Sequence, residues 1–420
     1  MLILHASQLL TLAGGPQRGS VLGRLGIIED GAVLIRDGKI IETGTSSSLQ
    51  AKYPGEDHID AKGKVVLPGF VDPHTHVVWA GDRAAEFEMR LQGMSYMQIM
   101  AAGGGINATV NATRKASYAE ILGQTRRRLR AMFRNGTTTA EAKTGYGLET
   151  SRELLQLRAI HDLDLEGPLE LVPTFLGAHA IPAEYANDPE GYIAYLVEEM
   201  IPAVKTWHQE HAPQDPLPFV DVFCEKGAFD LEQTRKILTA AQKHGFPLKL
   251  HVDEFENLGG ASLAAEMGAT SADHLVKTSA QDISNLASSN TVAVALPCTP
   301  FGLGDSHYTP AKEIIAADGL LALASDINPG TAWCENMQFV IALSCRSMGL
   351  TPSQAIAAVT INAAAAIQRE ARIGSLEAGK QADLLILSVD DYRHLAYRFG
   401  GNLVQTVIKK GKVFPVCDEK

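Results

Sequence analysis

The chain has 420 residues, 45% of them hydrophobic and 20% charged. That is enough apolar side chain for a full core and excludes a disordered or fibrous chain. Its 37 basic and 48 acidic residues leave a net charge of −11, which disfavours nucleic acid and anionic membranes as partners. The one basic run, Arg126-Arg127-Arg128 with Arg130, falls in a helical pattern and reads as a solvated face. Five cysteines (Cys224, Cys298, Cys334, Cys345 and Cys417) are widely spaced with no CxxC pair. They argue against a disulfide framework or zinc knuckle and for a reducing compartment. The opening MLILHASQLLTLAGG lacks a basic n-region, and no window approaches the ~18 uninterrupted apolar residues of a membrane span. A soluble, cytoplasmic protein is expected.

In chain order, residues 1–64 hold short alternating strands, with Asp37-Gly38 as a hairpin turn. Eight apolar β-rich runs follow: Val65–Val71, Thr137–Ala142, Leu169–Leu176, Phe219–Cys224, Pro247–Val252, Ala269–Leu275, Thr291–Leu296 and Leu320–Ser325. Their near-continuous hydrophobicity suits strands buried on both faces of a parallel sheet. Helical patterns lie between them. Thr150 to Glu153 reads as a capping box, and Asp230 as the cap of a helix stopped by Gly245. Thr309-Pro310 and Thr351-Pro352 each read as a cap followed by proline at the first helical position. The alternation predicts an α/β fold with a (β/α)8 TIM-type barrel over 65–370. Residues 371–420 return to strands with a Lys410-Gly411 turn. They are expected to pair with 1–64 in a small β-sandwich.

The chemistry-bearing residues fall at the ends of these runs. His74 and His76 follow the first run in Pro68-Gly-Phe-Val-Asp-Pro-His-Thr-His76. Two apart on an extended chain, their imidazoles share a side, with Cα atoms roughly 6–7 Å apart. Both nitrogens can then reach one metal at about 2.0–2.1 Å. His251 ends the fifth run, His274 the sixth and Asp326 the eighth, positions that meet at the catalytic mouth of a barrel. One divalent metal held by His74, His76, His251 and Asp326 is the favoured arrangement. Three nitrogens and one oxygen suit zinc or iron equally. A dinuclear site would need a bridging acid such as a carboxylated lysine. Lys226 is the candidate, although a solvated lysine paired with Glu225 reads better. Glu254, three residues past His251, is placed to move protons between water and a leaving nitrogen. Glu256 is read as a solvated loop residue.

These residues resemble the amidohydrolase superfamily over the whole chain. Gly69–His76 running into Ala80-Gly-Asp-Arg83, Gly103-Gly-Gly-Ile106, Lys143-Thr-Gly-Tyr146-Gly147, Phe175-Leu-Gly-Ala-His179 and Ser325-Asp-Ile-Asn-Pro-Gly-Thr331 resemble its imidazolonepropionase family. That resemblance implies ring-opening hydrolysis of 4-imidazolone-5-propanoate in histidine degradation, by a metal-activated water. It implies metal ligands at His74, His76, His251 and Asp326, and a further histidine beside them at His274, which is placed to stabilise a developing oxyanion. It places substrate contacts at Arg83, Tyr146, His179, Glu254, Asn328, Gly330 and Thr331, and implies a homodimer. Arg83 suits a substrate carboxylate; a surface ion pair with Asp82 or Glu86 is the competing reading. The amides of the Asn328–Thr331 turn could bind substrate, and Gly103–Gly105 could form a lid. Two other readings stay open. One is a ring deaminase resembling cytosine or guanine deaminases; the other is a barrel without activity.

Overall fold

A computed structural model describes residues 1–94, 98 and 104–416; Gly103 and Cys417 lie outside the described residues. Eight parallel strands make the barrel sheet in sequential order. They are β6 (Phe70–Asp72), β7 (Thr137–Lys143), β8 (Glu170–Ala178), β9 (Phe219–Cys224), β10 (Leu248–Val252), β11 (Ser271–His274), β12 (Val292–Ala295) and β13 (Leu321–Leu323). Helices connect them, as parallel pairing requires. The last strand reaches the first through irregular bonds. Asp326 N–H donates to the His74 carbonyl at 3.2 Å and His76 N–H to the Ile327 carbonyl at 2.9 Å. Ser325 N–H donates to Asp72 Oδ1 at 3.0 Å. Barrel closure therefore runs through the segments that carry His74, His76 and Asp326.

The first apolar run divides between two sheets. Val65–Pro68 (β5) pairs with β14 (Leu384–Leu387) and with β1 (Leu2–Leu10); only Phe70–Asp72 enters the barrel. Pro68 cannot donate to a continuing ladder. At Gly69 the backbone passes so close to Thr138 that a Cβ would lie 2.3 Å from its hydroxyl. The chain changes sheet there.

The terminal segments make one eight-stranded mixed sheet. Its order is β16 (Lys412–Pro415), β15 (Val404–Lys409), β14, β5, β1, β2 (Ile27–Arg36), β3 (Lys39–Thr45), with β4 (His58–Asp60) beside β1. Both expected hairpin tips form: Asp37 and Gly38 have φ 50° and 73°, Lys410 and Gly411 51° and 74°. These are the left-handed pairs of tight hairpin turns. Ile3, Leu9, Val33, Ile40, Val66, Leu384 and Ile408 give this sheet a core of its own.

Asp230 and Thr351 cap their helices in reciprocal boxes with Gln233 and Gln354, and Gly245 follows the first of these helices at φ 83°. Two other expected caps do not form. Thr150 is already helical, its hydroxyl on Tyr195, because Glu153 is committed elsewhere. Thr309 donates to the His274 carbonyl at 2.5 Å, and Pro310 precedes the helix Ala311–Ala316. The basic run is not uniformly solvated either. Arg126 pairs with Glu166, but Arg128 is buried, its guanidinium 3.3 Å from the Trp79 ring centroid. It donates to the Val77 and Trp79 carbonyls. Stacking and two carbonyl acceptors stand in for water around that charge.

Candidate metal centre and active site

His74, His76, His251, His274 and Asp326 come together at the C-terminal mouth of the barrel, and all are buried. His74 Nε2 is 3.3 Å from His76 Nε2, and His251 Nε2 is 3.2 Å from His76 Nε2. Asp326 Oδ1 lies 3.5 Å from both His74 Nε2 and His76 Nε2. Donors sharing one tetrahedral ion at bonds of about 2.0–2.1 Å would stand roughly 3.3–3.4 Å apart. These pairs lie close to that spacing, and two overlapping sets bring their ligand atoms within 4.8 Å of one another: His74, His76 and Asp326, and His74, His251 and His274. Asp326 Oδ1 has no hydrogen-bond partner, while Oδ2 accepts from Thr299. A buried carboxylate oxygen left bare among imidazole nitrogens suits a cation. Burial keeps His74, His76 and His274 well below the usual histidine range. They are therefore held neutral, the form that ligates.

The backbone turns sharply to aim these groups. His274 and Asp326 adopt φ 82° and 54°. Such left-handed residues at strand ends concentrate at functional sites.

Beneath the cluster lies a layer of charge that the sequence reading did not single out. Asp273 Oδ2 sits 2.6 Å from His74 Nδ1, and Asp221 Oδ1 sits 3.1 Å from His251 Nδ1. Each carboxylate accepts the Nδ1 proton and so turns the Nε2 lone pair toward the metal position. Lys143 Nζ bonds Asp221 at 2.6 Å and Glu141 at 2.8 Å. Lys249 Nζ lies 3.5 Å from Asp273 and donates to the Pro73 carbonyl at 2.8 Å. Burial opposes the Lys143 charge, yet Asp221 and Glu141 hold its ammonium above the usual lysine range. A signal was present: Glu141, Lys143, Asp221, Lys249 and Asp273 are charged residues inside apolar strands. Such residues need partners.

Glu254 stands at the rim with Oε2 3.6 Å from His274 Nε2. Burial, with Asp326 and Glu225 nearby, pushes its carboxyl well above the usual range. His179 stacks on His76, with centroids 4.9 Å apart and planes 16° apart. Its Nδ1 donates to the Gly145 carbonyl at 3.0 Å. Tyr146 is buried beside both rings, 6.1 Å from His76 and 5.3 Å from His179. Its loop is organised by Glu153, which accepts from the amides of Gly145, Gly147 and Leu148.

The remaining expected residues differ in detail. Arg83 pairs with Glu86, Nε donating to Oε2 at 2.8 Å, and lies against Gly330. The Gly330 and Thr331 amides both donate to Asn328 Oδ1 at 2.8 Å, so the turn spends on itself the donors expected to face a ligand. Lys226 pairs with Glu256, not Glu225, and is 69% exposed. Glu225 instead accepts from the amides of Lys226, Phe255 and Glu256. This leaves Lys226 outside the cluster.

The comparisons with known proteins agree with this geometry. Residues 65–414 match the amidohydrolase family model, and residues 31–55 match a bacterial imidazolonepropionase-like composite domain. The chain is 52% identical to an imidazolonepropionase of Herpetosiphon aurantiacus, covering 97% of each chain. It is 48% identical to one of Chloroflexus aggregans, covering 98% of each. Among solved structures it is similar to 5-methylcytosine deaminase from Klebsiella pneumoniae, with TM-score 0.72, 17% identity and 99% and 98% coverage. Guanine deaminase from C. acetobutylicum superposes with TM-score 0.71 at 16% identity, covering 98% and 99%. At such identity the structural likeness speaks for the shared fold alone. The chain belongs to the amidohydrolase family, and within it to the imidazolonepropionases.

Proposed function

We propose that the chain hydrolyses 4-imidazolone-5-propanoate to N-formimidoyl-L-glutamate, in the cytoplasm and as a homodimer. Residues 65–370 would form the catalytic barrel, and 1–64 and 371–420 the two halves of the β-sandwich. The carrying observation is the similarity, over nearly the whole chain, to proteins named imidazolonepropionase, joined to a histidine–carboxylate cluster that could hold a metal.

His74, His76, His251 and Asp326 would hold one ion, zinc or iron. When bound, it would lower the pKa of a coordinated water toward about 7 and polarise a carbonyl oxygen. Water adds to the lactam carbonyl carbon. Glu254, with Asp326, takes the water proton and delivers it to the departing ring nitrogen as that C–N bond breaks. His274 lies between Glu254 and the cluster, with both ring nitrogens free of hydrogen bonds. It is placed to donate to the oxygen that gains negative charge. Arg83 and Tyr146 would receive the propanoate carboxylate, and His179, Asn328, Gly330 and Thr331 would bound the ring.

The same metal chemistry would serve a ring deaminase, but a neutral base has no use for a guanidinium such as Arg83. The test is direct. 4-Imidazolone-5-propanoate is generated in situ from urocanate, and loss of ring ultraviolet absorbance is followed with and without chelator. Chelator-sensitive loss that yields formimidoylglutamate supports the proposal. No loss with metal-replete protein, together with ammonia release from a nucleobase, overturns it.

A further inference from the structure

Helix Ala84–Leu91 carries two arginines to one place: Arg83 at its N-terminal boundary and Arg90 in its last turn. Both line a cavity of about 290 Å³ with Phe87, Gly330, Thr331 and Trp333. One carboxylate serves the pair. Glu86 takes Arg83 through Nε and Nη2, and its Oε2 also accepts from the Gly105 amide at 2.8 Å. Arg83 is thereby fixed along one edge, with Nη1 turned to the Gly330 turn. A Cβ on Gly330 would lie 2.3 Å from that nitrogen.

Arg90 has no such carboxylate. Its Nη2 donates to the Gly330 carbonyl at 2.9 Å, its Nε is buried without a hydrogen-bond partner, and it makes no ion pair among the described residues. Asp82 also lines the cavity, but its carboxylate is exposed and accepts from the Ala84 amide, so neither Asp82 nor Glu86 is bonded to Arg90. A guanidinium whose Nε is buried without an acceptor is costly when unpaired and complementary to a ligand carboxylate. A carbonyl acceptor alone does not neutralise it.

We propose that Arg90 is a further substrate-binding residue, the second cation of a carboxylate subsite in which Glu86 positions Arg83. This rests on the proposed function, in which Arg83 receives the propanoate arm. Arg90 approaches from the opposite end of the same short helix and donates to the Gly330 carbonyl. Selectivity for an acid over its neutral counterpart would then come from two guanidiniums held by one turn.

The experiment uses the metal-loaded enzyme and two stable probes, imidazole-4-propanoate and its neutral amide, as competitive inhibitors. Arg90→Met is expected to raise the inhibition constant of the carboxylate about tenfold and to leave that of the amide within about twofold. Arg90→Lys, which keeps the charge and loses the fork, is expected to fall between. If Arg90→Met weakens both probes equally, Arg90 only holds the turn and the inference is overturned. Arg83→Met separates the two levels. If it weakens the carboxylate probe and Arg90→Met does not, this inference falls and the function stands. If Arg83→Met also leaves that probe unchanged, the carboxylate reading of Arg83 falls with it.

Discussion

Asp273 Oδ2 lies 2.6 Å from His74 Nδ1, with both side chains wholly buried. The pair decides which imidazole nitrogen is free, since a carboxylate that accepts the Nδ1 proton leaves Nε2 as the ligand. Asp273→Asn removes the charge and keeps the shape. Metal affinity should fall about 10- to 100-fold, as measured by competition with a calibrated chelator. Unchanged affinity would show that packing alone orients His74.

Glu254 is the group assigned to proton transfer. Glu254→Gln cannot carry a proton between water and nitrogen, so turnover should fall about 10²- to 10⁴-fold while metal content stays at the wild-type level. Turnover and metal content measured on one preparation check this; turnover near wild type would refute the role.

Glu153 tests the loop that presents Tyr146. Its carboxylate accepts three backbone amides, and glutamine would bring an NH₂ against them. Glu153→Gln should destabilise the fold by about 2–3 kcal/mol in urea unfolding at neutral pH. Burial raises the Glu153 carboxyl above its usual value despite those donors. The folded state therefore holds this proton more tightly than the unfolded chain, and stability from this group falls as pH rises through the ordinary glutamate range and just above it. The wild-type advantage over Glu153→Gln should accordingly shrink, not grow, across that window.

Removing the metal should act on stability as well as on rate. An ion that binds only the folded state adds RT ln(1 + [L]/Kd), about 2.7 kcal/mol at a hundredfold excess over Kd. Chelation should lower the melting temperature by several degrees and abolish turnover, with both restored by zinc or iron. A melting temperature indifferent to chelator and to added metal would argue against the four-residue site.

The sequence by itself determined the fold class and the positions of the cluster. Strands buried on both faces must be apolar, and a polar residue at the end of such a run is conspicuous; His74, His76, His251, His274 and Asp326 were legible for that reason. The two hairpin tips and the Asp230 and Thr351 caps were legible because their geometry is local. Tertiary structure decided what depends on partners distant in the chain. Glu153 sits where a capping box would place it, yet it serves three amides of a preceding loop. Arg128 belongs to a basic run, yet Trp79 and two carbonyls take it inside. Val65–Pro68 reads as a barrel strand until Leu384–Leu387 claims it. Lys143, Asp221 and Asp273 are separated by up to 130 residues in sequence, and only barrel closure brings them under the histidines. A charge can be buried wherever the fold supplies its counter-charge, and no local pattern records where that will be.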